Sequence, residues 1–127
     1  MTQPIEALTT ATLSLALSAA SQRHQALAAN MANVGVQGYT PVRLAFEAHL
    51  DDARQALRDK GSVDAQSLAA VRLELEPQVD AAGQPMPVQL DAAMVELARN
   101  AVHYQALTQG LARHLAMHAL AVADGRR

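Results

Sequence analysis

The sequence predicts a mainly α fold: long N- and C-terminal helices packing as a coiled-coil-like pair, with a small irregular central region that holds a short helix and a short strand. Three observations carry this. The last third of the chain places seam residues alternately four and three apart, at Leu90, Met94, Leu97, Ala101, Tyr104, Thr108, Leu111, Leu115, His118 and Val122. The first third repeats that spacing at Leu13, Leu17, Ala20, His24, Leu27 and Met31. Between them fall Gly35, Gly38, Pro41, Gly61, Pro77, Gly83, Pro85 and Pro87. A 4–3 spacing marks a helix that lies along another helix, and glycine and proline interrupt such runs.

Residues 1–33 read as one helix, from Glu6 to Asn33. Leu8, Thr12, Leu15, Ala19, Gln22, Ala26 and Ala29 form a second stripe beside the first seam. Two adjacent stripes predict neighbours on more than one side. Asn33 suits the C-cap, because Asn tolerates left-handed geometry, and Val34-Gly35 and Gln37-Gly38 then break the helix. Within this segment, LSLALSAA at residues 13–20 looks like the apolar core of a secretion signal. No Lys or Arg precedes Arg23, however, and Glu6 is acidic, so a cleaved signal is not expected.

Residues 34–89 form the central region. A helix is expected over Leu44 to Arg58, with Leu44, His49 or Leu50, Ala53 and Leu57 on one side. Asp59 to Ser67 is polar and holds Gly61, the composition of a loop. Val71, Leu73 and Leu75 alternate, which predicts a short strand that Pro77 ends. Asp80 to Pro87 should be irregular.

The C-terminal helix is expected over residues 90–123, with a cap near Asp91 and Gly125 as its stop. Its length would be about 50 Å. Gly110 sits in its interior, where glycine costs about 1 kcal/mol relative to alanine. That cost predicts a close approach by another backbone.

The chain's 127 residues suit one domain. Half are hydrophobic, but alanine supplies much of that share, and Tyr39, Phe46 and Tyr104 are the only aromatic residues. Burying a Leu contributes about 1.5–3 kcal/mol, and Ala far less. The core is therefore expected to be thin and to gain order from partners. A net charge of −2 and a single lysine, Lys60, do not favour nucleic acid or an anionic membrane. The absence of cysteine excludes disulfides and thiolate metal sites.

Candidate chemistry is sparse. His114 and His118 are four apart on a helix, a spacing that can hold a metal, but no cysteine or His-Glu-x-x-His pattern accompanies them. The more economical reading is helix histidines near a C-terminus, where the dipole favours them. Asp51-Asp52 and the pair Glu74 and Glu76 read as solvated acids. No nucleophile elbow, phosphate loop or dinucleotide fingerprint is present. No enzyme activity, cofactor, metal or small-molecule substrate is expected.

Two stretches carry a family resemblance. Ala28-Ala29-Asn30-Met31-Ala32-Asn33, followed by Gln37-Gly38-Tyr39 and Phe46, resembles the N-terminal signature of bacterial flagellar rod and hook proteins. Val88-Gln89-Leu90-Asp91, Met94, Asn100-Ala101 and Tyr104-Gln105-Ala106-Leu107 resemble a C-terminal signature of the same family. Val36-Gln37 stand where the family has Thr-Pro, and Ala93 stands where an acid usually precedes Met94.

The resemblance implies a structural subunit whose terminal helices form the wall of a helical tube. It implies export through the flagellar type III apparatus into the periplasm, and a place at the base of the rod. The implied partners are other rod proteins, the membrane-ring adaptor, copies of the chain itself and the export apparatus. Asn30 and Asn33 would satisfy backbone groups where the first helix ends. Gly38 would permit a tight turn that Tyr39 and Phe46 pin to the helices. Asn100 would bond across the pair, and Met94, Tyr104, Leu107 and Leu111 would pack its seam. The competing reading is a stand-alone helical adaptor or export chaperone of a secretion system.

Overall fold

In a computed structural model, backbone is described for residues 2–45, 51, 55 and 57–125, and side chains from Ile5 onward within those ranges. Two long helices dominate: α1 spans Thr2–Ala32 and α3 spans Leu90–Asp124. Between them lie β1 (Val42–Ala45), the five-residue helix α2 (Ala65–Ala69) and β2 (Glu74–Pro77). The long helices pack together as the sequence predicts, and α1 also borders α2 and β1. Helix α1 thus has neighbours on more than one side, as its two stripes predict.

Helix α1 begins four residues earlier than the periodicity suggested. Its first turn contains Pro4, a position where proline is tolerated because the N–H groups there have no intrahelical acceptor. At its other end, Asn33 does not take left-handed geometry; Gly35 and Gly38 do, with φ of +78° and +83°. Each is the third residue of a turn. Val36 N donates to Asn33 O at 3.1 Å, and Tyr39 N donates to Val36 O at 3.2 Å. A turn of this kind requires positive φ at its third residue, which glycine supplies without a steric penalty.

The central region departs from expectation in two places. Leu44 and Ala45 belong to a strand rather than to a helix, and β1 pairs antiparallel with β2 in the register Val42↔Pro77 to Ala45↔Glu74. Backbone is helical at Asp51, at Gln55 and over residues 57–60, whereas His49, Leu50 and Ala53 lie outside the described residues. The polar stretch after Gly61 is not all loop, since α2 starts at Ala65. Asp64 caps it, its carboxylate accepting from Ser67 N at 2.7 Å. Leu68 is the buried residue of this helix.

Residues 80–87 are more ordered than their composition indicated. Asp80 Oδ1 accepts from the backbone N–H groups of Ala82 and Gln84 at 2.8 and 2.9 Å. Val79 bridges to Pro85, and Met86 N donates to Gln78 O at 2.9 Å. This tight turn returns the chain to α3. There Gln89 occupies the N-cap without a side-chain bond, and Asp91 sits in the first turn instead of capping. Gly125 does occupy the C-cap, in right-handed geometry.

The core is thin. Among the described residues, the buried hydrophobic side chains are Ala19, Ala20, Ala26, Leu68 and Ala93. Small residues let the two helix axes approach, but each methyl removes little area from water. No described helix is long and apolar enough to cross a membrane.

Candidate assembly surface

Seam geometry follows from three cross-helix contacts. Glu6 Oε2 lies 2.8 Å from His118 Nε2, Thr10 Oγ1 lies 3.4 Å from His114 Nε2, and Asn100 Nδ2 donates to Ala20 O at 2.7 Å. Partners rise along α1 as they fall along α3, so the helices run antiparallel.

The face of α3 turned to α1 carries Ala93, Leu97, Asn100, Leu107, Leu111, His114 and His118, all buried or half-buried. Three residues placed on the seam by their spacing, Leu97, Leu111 and His118, keep that side of the helix. Met94, Ala101, Thr108 and Leu115 are exposed, and Ala93, Asn100, Leu107 and His114 immediately before them turn inward instead; Leu90, Ala121 and Val122 are all exposed. Ala93, smaller than Met94, is buried and lines a cleft with Ala26, while Asn100 is turned inward by its bond to Ala20 O and His114 by its contact with Thr10.

Large apolar side chains of α3 are left uncovered, some from the expected seam and some from the side away from it. Leu90, Met94, Val95, Val102, Leu115, Met117, Leu120 and Val122 are all exposed, Leu120 to 67%. Tyr104, 45% exposed, stands at the edge between the covered and uncovered faces. It shares a cleft of about 280 Å³ with Ala20, Ser21, His24 and Asn100. Large apolar side chains left uncovered in this number along one helix point to a contact site.

At the turn end, the side chain of Asn30 is 5% exposed and acts as a peptide group in miniature. Its Nδ2 donates to Val42 O at 2.7 Å, and its Oδ1 accepts from Val42 N at 2.9 Å and from Tyr39 OH at 2.9 Å. Strand β1 is thereby clipped to the last turn of α1. Asn33 Nδ2 donates to Ala29 O at 2.8 Å, satisfying one of the helix's terminal carbonyls. Asn30, Asn33, Gly38 and Tyr39 therefore form one connected unit, while Phe46 lies outside the described residues. Pro41, marked in the sequence only as a helix stop, is fully buried beneath this unit, and its carbonyl accepts from Gln78 N at 2.7 Å. No periodicity signals that role.

Among the described residues Gly110 meets no other backbone: a Cβ added there finds no atom within 4 Å. His114 and His118 are occupied by Thr10 and Glu6, and among the described residues no group of three or more His, Asp or Glu side chains is placed to hold a metal. A broader cleft of about 490 Å³, bounded by Asn30, Arg43, Met86 and Glu96, separates the ribbon from the start of α3.

Comparison with known protein families finds no family that matches the chain, and comparison with curated proteins finds no match either.

Proposed function

We propose that this chain is a structural subunit of the proximal rod of the bacterial flagellar basal body, similar to the rod protein FlgB. Its terminal helices stack helically with those of neighbouring subunits, and the resulting tube transmits torque.

The observation that carries this reading is the number of large apolar side chains left uncovered on α3, from Leu90 to Val122, while the half-buried face toward α1 is largely alanine and leucine. A chain that buries alanine internally and leaves methionine, leucine and valine outside has reserved its larger hydrophobic contribution for another surface. A heterologous contact of that kind, one that does not close into a ring, generates a filament. The motif residues give independent support. Among the residues that carry the resemblance at the N-terminal end, Asn30 bonds Tyr39 and Val42, Asn33 O accepts from Val36 N and Gly38 supplies the positive φ of the turn, and Asn100 bonds across to α1.

In this role the chain has no catalytic group. It leaves the cytoplasm through the flagellar type III export apparatus and works in the periplasmic rod. It contacts the membrane-ring adaptor, other rod proteins and its own copies. Deletion of the gene, scored for swimming and for hooks on the cell surface, tests the proposal. The expected result is loss of both, restored by the intact gene in trans. Normal swimming with normal hooks contradicts it.

A further inference from the structure

We propose that Asn100 sets the register of α1 against α3, and does so at a net cost in stability. The inference concerns the folded chain alone and does not depend on the rod.

Asn100 is 5% exposed, and only half of its amide is satisfied. Nδ2 donates to Ala20 O at 2.7 Å, while Oδ1 is buried with no hydrogen-bond partner. A buried acceptor left unpaired offsets much or all of what the neighbouring bond contributes. The side chain is therefore a poor source of stability. Its value is selectivity, as for a single polar residue in an apolar helix seam.

The seam needs such a device. Its most deeply buried contacts are between small residues, Ala20 beside Asn100 and Ala26 in a cleft with Ala93, and methyl groups alone do little to hold one register against another. Other polar contacts between α1 and α3 are weaker selectors: Thr10 and His114 are 3.4 Å apart, and both members of the Glu6–His118 pair are partly solvated. Asn100 discriminates because its acceptor is a backbone carbonyl, and a carbonyl can be approached from the side only where its own and adjacent side chains are small. Ala19-Ala20 provides that opening. Sliding the pair by one heptad, about 10 Å along the axis, brings Asn100 opposite Leu13 or Leu27. There the amide is buried against isobutyl groups with neither half bonded. The native register is favoured because every alternative leaves Asn100 worse off.

Register can be read directly, because the chain has no cysteine of its own. Three double-cysteine proteins are made: Thr10→Cys with His114→Cys for the native rung, and Thr10→Cys with Leu107→Cys or with Ala121→Cys for the two slipped rungs. Each is treated with a short bifunctional thiol reagent, with Asn100 intact and as Asn100→Leu. With Asn100 intact, intramolecular cross-linking is expected only in the 10/114 protein. With Asn100→Leu, the melting temperature stays level or rises, and the 10/107 and 10/121 proteins now cross-link as well. Asn100→Ala, which adds no bulk, is expected to admit the same slipped products. Cross-linking confined to the native rung in both variants overturns the proposal. So does a fall in melting temperature or loss of helix in Asn100→Leu, since Asn100 would then be a source of stability.

Discussion

Glu6 and His118 stand 112 positions apart in the sequence, yet their side chains meet at 2.8 Å and tie the start of α1 to the last turns of α3. The pair is partly solvated, with 35% of the Glu6 side chain and 41% of the His118 side chain exposed. Polar contacts this accessible contribute at most about 1 kcal/mol, because water competes for both groups and ordering two side chains opposes the gain. Glu6→Ala should therefore lower unfolding stability by less than about 1 kcal/mol in a denaturant titration. A loss well beyond that would mean the termini hold the helix pair together.

Asn30 is the opposite case. Its amide makes three hydrogen bonds, to Val42 N, Val42 O and Tyr39 OH, from a buried position. Alanine there strands all three partners at once. The expected loss is about 1–3 kcal/mol, since leaving buried polar groups unpaired is costlier than losing one average bond. Denaturant unfolding of Asn30→Ala measures it, and amide exchange at Val42 should accelerate in parallel. A change no larger than that for Glu6→Ala would show that β1 is held by other contacts.

The cap of α2 should respond to acid. The hydrogen bond from Ser67, helped by the charge of Lys60, holds the Asp64 carboxyl below its ordinary value of 3.8. A depressed folded-state pKa means that the cap stabilises α2 at and above the ordinary carboxylate range. Its contribution is lost as pH falls through the folded value. The amide resonance of Ser67, followed by NMR, should titrate with a midpoint below 3.8. A midpoint at or above that value would mean that the carboxylate does not cap the helix in solution.

Gly110 separates what the isolated chain requires from what a neighbour requires. It lies inside α3, where alanine is favoured by about 1 kcal/mol, and an added Cβ meets nothing within 4 Å. Gly110→Ala should raise the melting temperature of the purified chain. A decrease would reveal a close approach within the chain that the packing of α1 and α3 does not contain.

The architecture was legible in the sequence because it rests on period and punctuation. Spacing of four and three located both long helices, and Gly35, Gly38 and Pro41 located the corner after the first. The face that α3 turns inward was only half legible. Periodicity selected Met94, Ala101 and Leu115, whereas contacts with α1 turned Ala93 toward Ala26, Asn100 toward Ala20 O and His114 toward Thr10. Leu44 and Ala45 were misread because a four-residue strand is too short to show its period, and its pairing with β2 lies about thirty residues away along the chain. Asp64 was passed over because the polar composition around Gly61 concealed a single-turn helix. The burial of Pro41 depends on tertiary contacts with no local signature.

Leu115 and Leu111 provide the most direct test of whether the outward face of α3 is an assembly surface. Leu115 is exposed, so Leu115→Asp should alter the stability of the purified chain by no more than about 0.5 kcal/mol. Leu111→Asp, on the covered face, should unfold it measurably. The decisive measurement is swimming of a deletion strain complemented with Leu115→Asp. The account predicts a subunit that folds and is secreted normally in cells that do not swim. Normal swimming with Leu115→Asp would contradict it.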